Sequence, residues 1–527
     1  MASRYWVCGQ NTWDATGTSG SITKWATSAA TNITASWSTL NKTLSIPAGA
    51  ILSTGTQVVS QAGVFVGTIA TGSATSQTSY TLNANPSTSG SSIICYAAAS
   101  ASLTTVVPTL SDDVFFTQSG TYAVSIDSTT NSVCNNFTHS TGTAGFSMSG
   151  YLNIYGSITA GATSSFTGNQ IHFKATTTGK TISILSTPSC ASISFGFMGN
   201  GGGGWTLSNP LTLGLGCRLY HYTGAFSTGN YNISAPSSNL FLLSSDGTNQ
   251  TTAKSISLGS STITCRTFIV NENDINSVGT FNAGTSTINI QSNDANSSLL
   301  HIRRFGTTLY NVILSSPAGN ITGLGYINID NAGWPLTVTN LTINPGILTG
   351  VTRLSLHSNI TVTGTLTASG ASAIKRVWIT TNDPSSPTIL TLTVNAFSAS
   401  PADIDFENIT IAGAAAGTSI TRAGDCGGNS GISFPAAKTV YWNLAGTANW
   451  SDIGWATTST GTPAENNFPL PQDTATFTNS GSAGTINFEE GSKWRIGSID
   501  ASARTTAMTL SATTYVTLYG DLRLGSG

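Results

Sequence analysis

The sequence predicts an all-β chain: an elongated parallel β-helix or β-solenoid with small Trp-rich β modules at the head of its units. Three observations carry that expectation. No apolar i, i+3, i+4, i+7 stripe extends over about eleven residues, so long helices are not expected. Short alternating runs rich in Ile, Val, Thr and aromatic residues, broken by Gly, Ser, Asn and Thr clusters, fill the 527 residues. A whole block of sequence also occurs twice in the same order, the mark of a serial architecture more than of a compact enzyme. A string of β-sandwich domains is the alternative, since sandwiches also place strands every 8–12 residues or about that.

The repeated block is a Trp/Asp module. Its first copy holds Trp6, Trp13, Asp14 and Trp25, then Pro108, Asp112, Asp113 and Phe116. Its second copy holds Trp442, Trp450, Asp452 and Trp455, then Pro471, Asp473 and Phe477. Further on, Tyr151-Leu-Asn-Ile-Tyr155-Gly156 returns as Tyr515-Val-Thr-Leu-Tyr519-Gly520.

The order of domains follows. Residues 1–27 plus 108–119 form the first Trp/Asp module, the expected point of attachment. Residues 28–107 are an inserted small β module, because the second copy passes almost directly from Trp455 to Pro471. Residues 120–435 are the β-solenoid. Asn-apolar-Thr triplets begin at Asn320, Asn340, Asn359 and Asn408, and Ser260–Ile263 is echoed by Thr285–Ile288. These spacings suggest a coil of about 20–25 residues, within the range of solenoid repeats. Inward positions would stack Ile and Val, and corners would stack Asn, Ser and Thr. Residues 436–527 are the second Trp/Asp module and the start of a second, incomplete unit; either this copy is naturally short or the protein continues past Gly527, and the second is the expectation.

Composition narrows the function. Charged residues are 8% of the chain and the formal net charge is −2. No basic patch speaks for nucleic acid, and no apolar stretch is long enough to span a bilayer as a helix. Met1-Ala-Ser-Arg-Tyr-Trp6 lacks the apolar core of a signal peptide. Synthesis in a host cytoplasm is the expectation. The seven cysteines are widely spaced and include no C-x-x-C, so they read as small buried residues.

The Trp/Asp module resembles the opening of large Gly/Ser/Thr-rich virion proteins of tailed bacteriophages. In those, Tyr-Trp-Val leads to Thr-Trp-Asp, then Trp, then Pro and Asp-Asp-Val-Phe-Phe. Cys8-Gly9-Gln10 and the 28–107 insertion depart from that pattern. The resemblance implies a tail-fibre or tailspike-like structural appendage, located on the virion tail. Its implied partners are other virion tail proteins, a homotrimer of itself, and a host cell-surface glycan or protein. It carries no catalytic set. A tailspike polysaccharide depolymerase, a bacterial surface adhesin or filament, and a capsid decoration protein are the alternatives.

Three groups of side chains invite chemistry. Asp403, Asp405 and Glu407 alternate with Ile404 and Phe406, so a strand would put the carboxylates on one face about 6.5–7 Å apart. That is close to the roughly 6.5–9.5 Å of an inverting glycosidase pair, and oxygen ligands also suit calcium. The simpler reading is a solvated outer face. Asp112, Asp113 and Asp473 are metal candidates, against a simpler role accepting backbone N–H groups in turns. A structural calcium is thus the only cofactor entertained. The repeated tryptophans could stack on sugars, but their recurrence favours a module core. Asn200–Gly204 and the five scattered histidines match no phosphate or metal motif.

Overall fold

The computed structural model describes residues 2–6, 10–12, 25–27, 30–60, 65–99, 107–126, 132–196, 202–242, 254–271, 279–291, 298–303, 307–315, 325–330, 336–344, 352–381, 388–489, 494–513 and 516–526. Trp13, Asp14, Cys8, Asn200 and the triplet at Asn320 lie outside them. Among the described residues, helix is confined to the short 3-10 turns Glu465–Asn467 and Asn479–Gly481. The chain is an all-β parallel solenoid. It divides into two compact units, residues 1–261 with 274–282, and 262–273 with 283–527.

In the first unit, one parallel ladder starts with Ser3–Trp6 and passes through Asp113–Phe116, Phe137–His139, Ile158–Ala160, Lys180–Ile184 and Gly204–Leu207. The first Trp/Asp module is therefore the first coil of the solenoid it introduces. A second set of strands includes Thr121–Ile126, Thr143–Ile154, Ser164–Phe173, Ser189–Phe195 and Arg218–His221, again all parallel. Alternation drives the winding, because one face of every strand is apolar and must be buried. Register then stacks like on like: Val114, Phe137, Ile158, Ile182 and Leu207 form one inward column. Phe146 lies on Phe166 with centroids 5.0 Å apart and planes 17° apart. Where Thr143–Ile154 bulges against Ser164–Phe173, Gly168 has φ +91°, and a Cβ there would fall 2.0 Å from the Met148 carbonyl oxygen. Only glycine fits that close approach.

The inserted module is of another kind. Its sheet runs Phe65–Thr68, Thr56–Ser60, Gly90–Ala99, Thr31–Trp37, Thr43–Ala50 and Gln77–Thr81, and every pairing is antiparallel. It has a core of its own, around Trp37, Leu44, Val58 and Tyr80.

The second unit repeats the parallel winding. Ile263 pairs with Ile288, as the spacing of their motifs predicts. The Asn-apolar-Thr triplets behave differently. Leu341 pairs with Leu366, and Ile360 with Leu336, so the triplets at Asn340 and Asn359 do not stack on each other. Coil length varies instead: Phe406 pairs with Asp425, 19 residues on, whereas Val312 pairs with Leu341, 29 residues on. Corner polar ladders do form. Asn340 Nδ2 donates to Asn311 Oδ1 at 3.0 Å, and Asn311 Nδ2 to Thr287 Oγ1 at 3.2 Å.

The two Trp/Asp modules fold alike in detail. Trp6 pairs antiparallel with Trp25, and Trp442 with Trp455. Each pair meets edge to face, at 5.2 Å and 76° in one copy and 5.0 Å and 79° in the other. Phe116 completes the first triad at 6.0 and 5.7 Å, and Phe477 the second at 6.2 and 5.6 Å. These aromatics are buried, as is Trp450, so they form module cores and present no ring to a sugar. Burying each such side chain stabilises the fold by about 1.5–3 kcal/mol.

Candidate functional site

Asp112 and Asp473 hold equivalent turns. Asp112 Oδ2 accepts from the Thr109 N–H at 3.0 Å, and Asp473 Oδ2 from the Leu470 N–H at 2.9 Å. Asp473 Oδ1 also accepts from the Lys438 N–H, and Arg4 sits 3.7 Å from Asp112. Asp113 Oδ1 accepts from the Asn136 N–H and from the side-chain amides of Asn135 and Asn136. Oxygens that already receive N–H hydrogens are turned away from a cation's needs. Among the described residues, no group of three or more His, Cys, Asp or Glu is placed to hold a metal ion. Six cysteines, Cys95, Cys134, Cys190, Cys217, Cys265 and Cys426, are buried and free.

The carboxylates of Asp403, Asp405 and Glu407 are the centre of a cluster of ion pairs. Ile404–Glu407 pairs in parallel with Val377–Thr381, so Asp405 lies beside Trp378 and Glu407 beside Thr380. The expectation of a solvated outer face is overturned, because Asp403, Asp405 and Glu407 are only 3%, 1% and 8% exposed. The second Trp/Asp module covers them. Gly424 makes the close approach possible, since a Cβ there would come 2.0 Å from Asp405 Oδ1 and 2.7 Å from Pro471.

The three carboxylates separate into two groups. Arg376 donates to Asp405 Oδ1 through Nε at 2.8 Å and Nη2 at 2.6 Å, and reaches Asp403 through Nη1 at 3.3 Å. Arg422 holds Asp403 with a two-pronged contact, 2.6 Å on each oxygen. Arg495, from the second Trp/Asp module, approaches Asp405 Oδ2 at 3.7 Å and lies 4.4 Å from the Trp378 ring centre. Glu407 stands apart from these. It accepts from the Tyr519 hydroxyl at 2.9 Å and from Thr380 Oγ1 at 3.2 Å. Burial pushes its carboxyl above the usual range, partly offset by those two hydrogen bonds. Burial likewise holds the Arg495 guanidinium below its ordinary value and the Tyr519 phenol above its own.

This arrangement is an ionic joint. Asp403 and Asp405 are committed to arginines, and no sugar reaches between either of them and Glu407 while the second module is seated. A glycosidase needs its acid and base across a bound ring, and the site offers no such opening. Sequence reasoning found the carboxylates but missed Arg376, Arg422, Arg495 and Tyr519, which come from four separate stretches of chain. The available signal was rarity: with only 19 Lys and Arg in the chain, an arginine near a carboxylate cluster is a natural partner for it. Comparison of the chain with protein-family models, curated proteins and solved structures finds no match.

Proposed function

We propose that this chain is a structural appendage protein of a tailed bacteriophage virion, a tail-fibre-like solenoid that serves attachment to the host surface. The observation that carries the reading is the repeated Trp/Asp module. The same aromatic triad and the same Asp-held turn begin two successive parallel windings, as expected of a chain assembled from serial display segments. The uncharged polar composition and the module's resemblance to phage virion proteins support it. Self-association as a homotrimer belongs to the same proposal and rests on the resemblance. The polysaccharide-degrading alternative gains no support from Asp403, Asp405 and Glu407, whose carboxylates are buried against arginine, threonine and tyrosine.

The test is immunogold electron microscopy of purified particles, with antibody raised against this chain. Label on tail appendages is the expected result. Label confined to the capsid, or to the envelope of uninfected cells, overturns the reading.

A further inference from the structure

We infer that Cys190 and Cys217 are a site of oxidative modification, at which a disulfide closes between consecutive coils of the first unit. Their sulfurs lie 3.6 Å apart and buried, although 27 residues of chain separate them. Among the described residues, no other two cysteines are in sulfur contact. Both thiols are free and weakly held: Cys190 Sγ otherwise reaches the Ser192 carbonyl oxygen at 3.5 Å. A thiol is a weak donor, so oxidation forfeits little hydrogen bonding.

The backbone brings the pair together. The Gly214 N–H donates to the Pro188 carbonyl oxygen at 2.7 Å, which lays the later coil against the earlier one just ahead of Cys190. A tight turn follows, closed by the Cys217 N–H on the Gly214 carbonyl oxygen at 3.1 Å. Arg218 then pairs in parallel with Ser192. Cys217 is thus fixed between two contacts that bracket Cys190. The apposition is close, for a Cβ on Gly214 would come 2.4 Å from Ser189 Oγ. Neighbouring strands lie about 4.8 Å apart, within the roughly 4.4–6.8 Å that a disulfide spans between Cα atoms.

Burial decides when the bond forms. The sulfur contact with Cys190, and then desolvation, push the Cys217 thiol well above its ordinary value, so the closed coil holds little nucleophilic thiolate. Cys217 nevertheless ends a surface turn. Leu215 is 84% exposed, and Gly216 and Arg218 on either side of Cys217 are exposed too. Opening that turn brings Cys217 to solvent, and such local opening costs less than unfolding. A small-molecule disulfide is the oxidant. The Cys217 thiolate attacks it, forming a mixed disulfide and releasing one small thiol. As the turn closes, the Cys190 thiolate attacks the Cys217 sulfur, forms the protein disulfide and expels the second small thiol. The two protein thiols lose two electrons and two protons, and the small disulfide gains them. A reducing cytoplasm keeps the pair open, and an oxidising medium closes it.

The full chain, held folded in oxidised glutathione and then denatured and alkylated, tests this. Of its seven cysteines, two are expected to escape alkylation, and peptide mapping should find Cys190 joined to Cys217. The bond closes a loop of 27 residues. The unfolding midpoint should therefore rise by about 5 °C or more, and fall back with reductant. Cys217→Ser should keep all its thiols and show no rise. Cys134→Ser, at a buried cysteine outside the pair, should still lose two. Seven free thiols after oxidation, a link between other cysteines, or glutathione left on single cysteines overturns the inference. Thiol count and gold label report independently, so failure of either leaves the other standing.

Discussion

The first and second Trp/Asp modules share a core and differ on one face. Their aromatic triads superpose in distance and angle. The divergence lies where Ser132–Cys134 pairs with Leu152–Ile154 in the first copy, and Arg495–Ile496 with Thr517–Leu518 in the second. Aligned on Gly156 and Gly520, Val133 occupies the place of Arg495, and Ser132 that of Trp494. The first copy keeps a half-buried valine there, whereas the second places an arginine against Asp405. The triad and the Asp turn are thus what such a module needs to fold. The Arg495 face is what the second copy needs to be seated on a preceding coil.

Four measurements can break or sharpen that comparison. The largest effect is expected from Asp405→Ala, which leaves Arg376 and Arg495 buried without their carboxylate. A loss of about 3–5 kcal/mol is expected, read by denaturant unfolding, with increased hydrogen exchange confined to the second unit. An equal rise in exchange in both units would deny that the joint is local. Next come Phe116→Ala and Phe477→Ala, each costing about 3–5 kcal/mol by opening a cavity under two tryptophans. Near-equal losses by chemical denaturation are predicted, and a gap of several kcal/mol would mean that the two modules are not equivalent.

Acid should separate the units third. His221, fully buried in the first unit, is held down to about 3 by desolvation. A histidine kept neutral in the fold contributes its full stability above the unfolded value of about 6.5. It loses that stability as pH falls toward 3, because only the unfolded chain takes the proton. By pH 4.5 the loss is about 2–3 kcal/mol. His221→Gln should flatten this slope in the first unit, and a wild-type slope in the variant would assign it elsewhere. Smallest are Asp112→Ala and Asp473→Ala, which strand turn N–H groups at about 1–2 kcal/mol each. Thermal unfolding should show small, matched shifts; a shift for Asp473→Ala alone would mean that its role lies in the joint.

Much of the fold was legible because its signals are local. Tryptophans stand out in any sequence, alternation follows from the two-residue period of strands, and the insertion showed as a gap between Trp25 and Pro108. The coil register was less so. The triplets at Asn340 and Asn359 mark corners, and corners drift when coils vary from 19 to 32 residues. The ionic joint was legible only by half. Alternation put Asp405 and Glu407 on a common face, but their burial depends on a module brought from far along the chain. No local pattern records that Gly424 makes room for Pro471, or that Arg495 replaces a valine.

The inserted sheet has a consequence of its own. A complete antiparallel module, with its own core, sits between Trp25–Ala26 and Asp113–Phe116 without disturbing the triad those strands build. In the second copy the same interval is only residues 457–473, with a short 3-10 turn at Glu465–Asn467. That interval is a socket. New domains can be plugged in there without renegotiating the winding beneath, so a lineage can change what it carries while keeping how it is built.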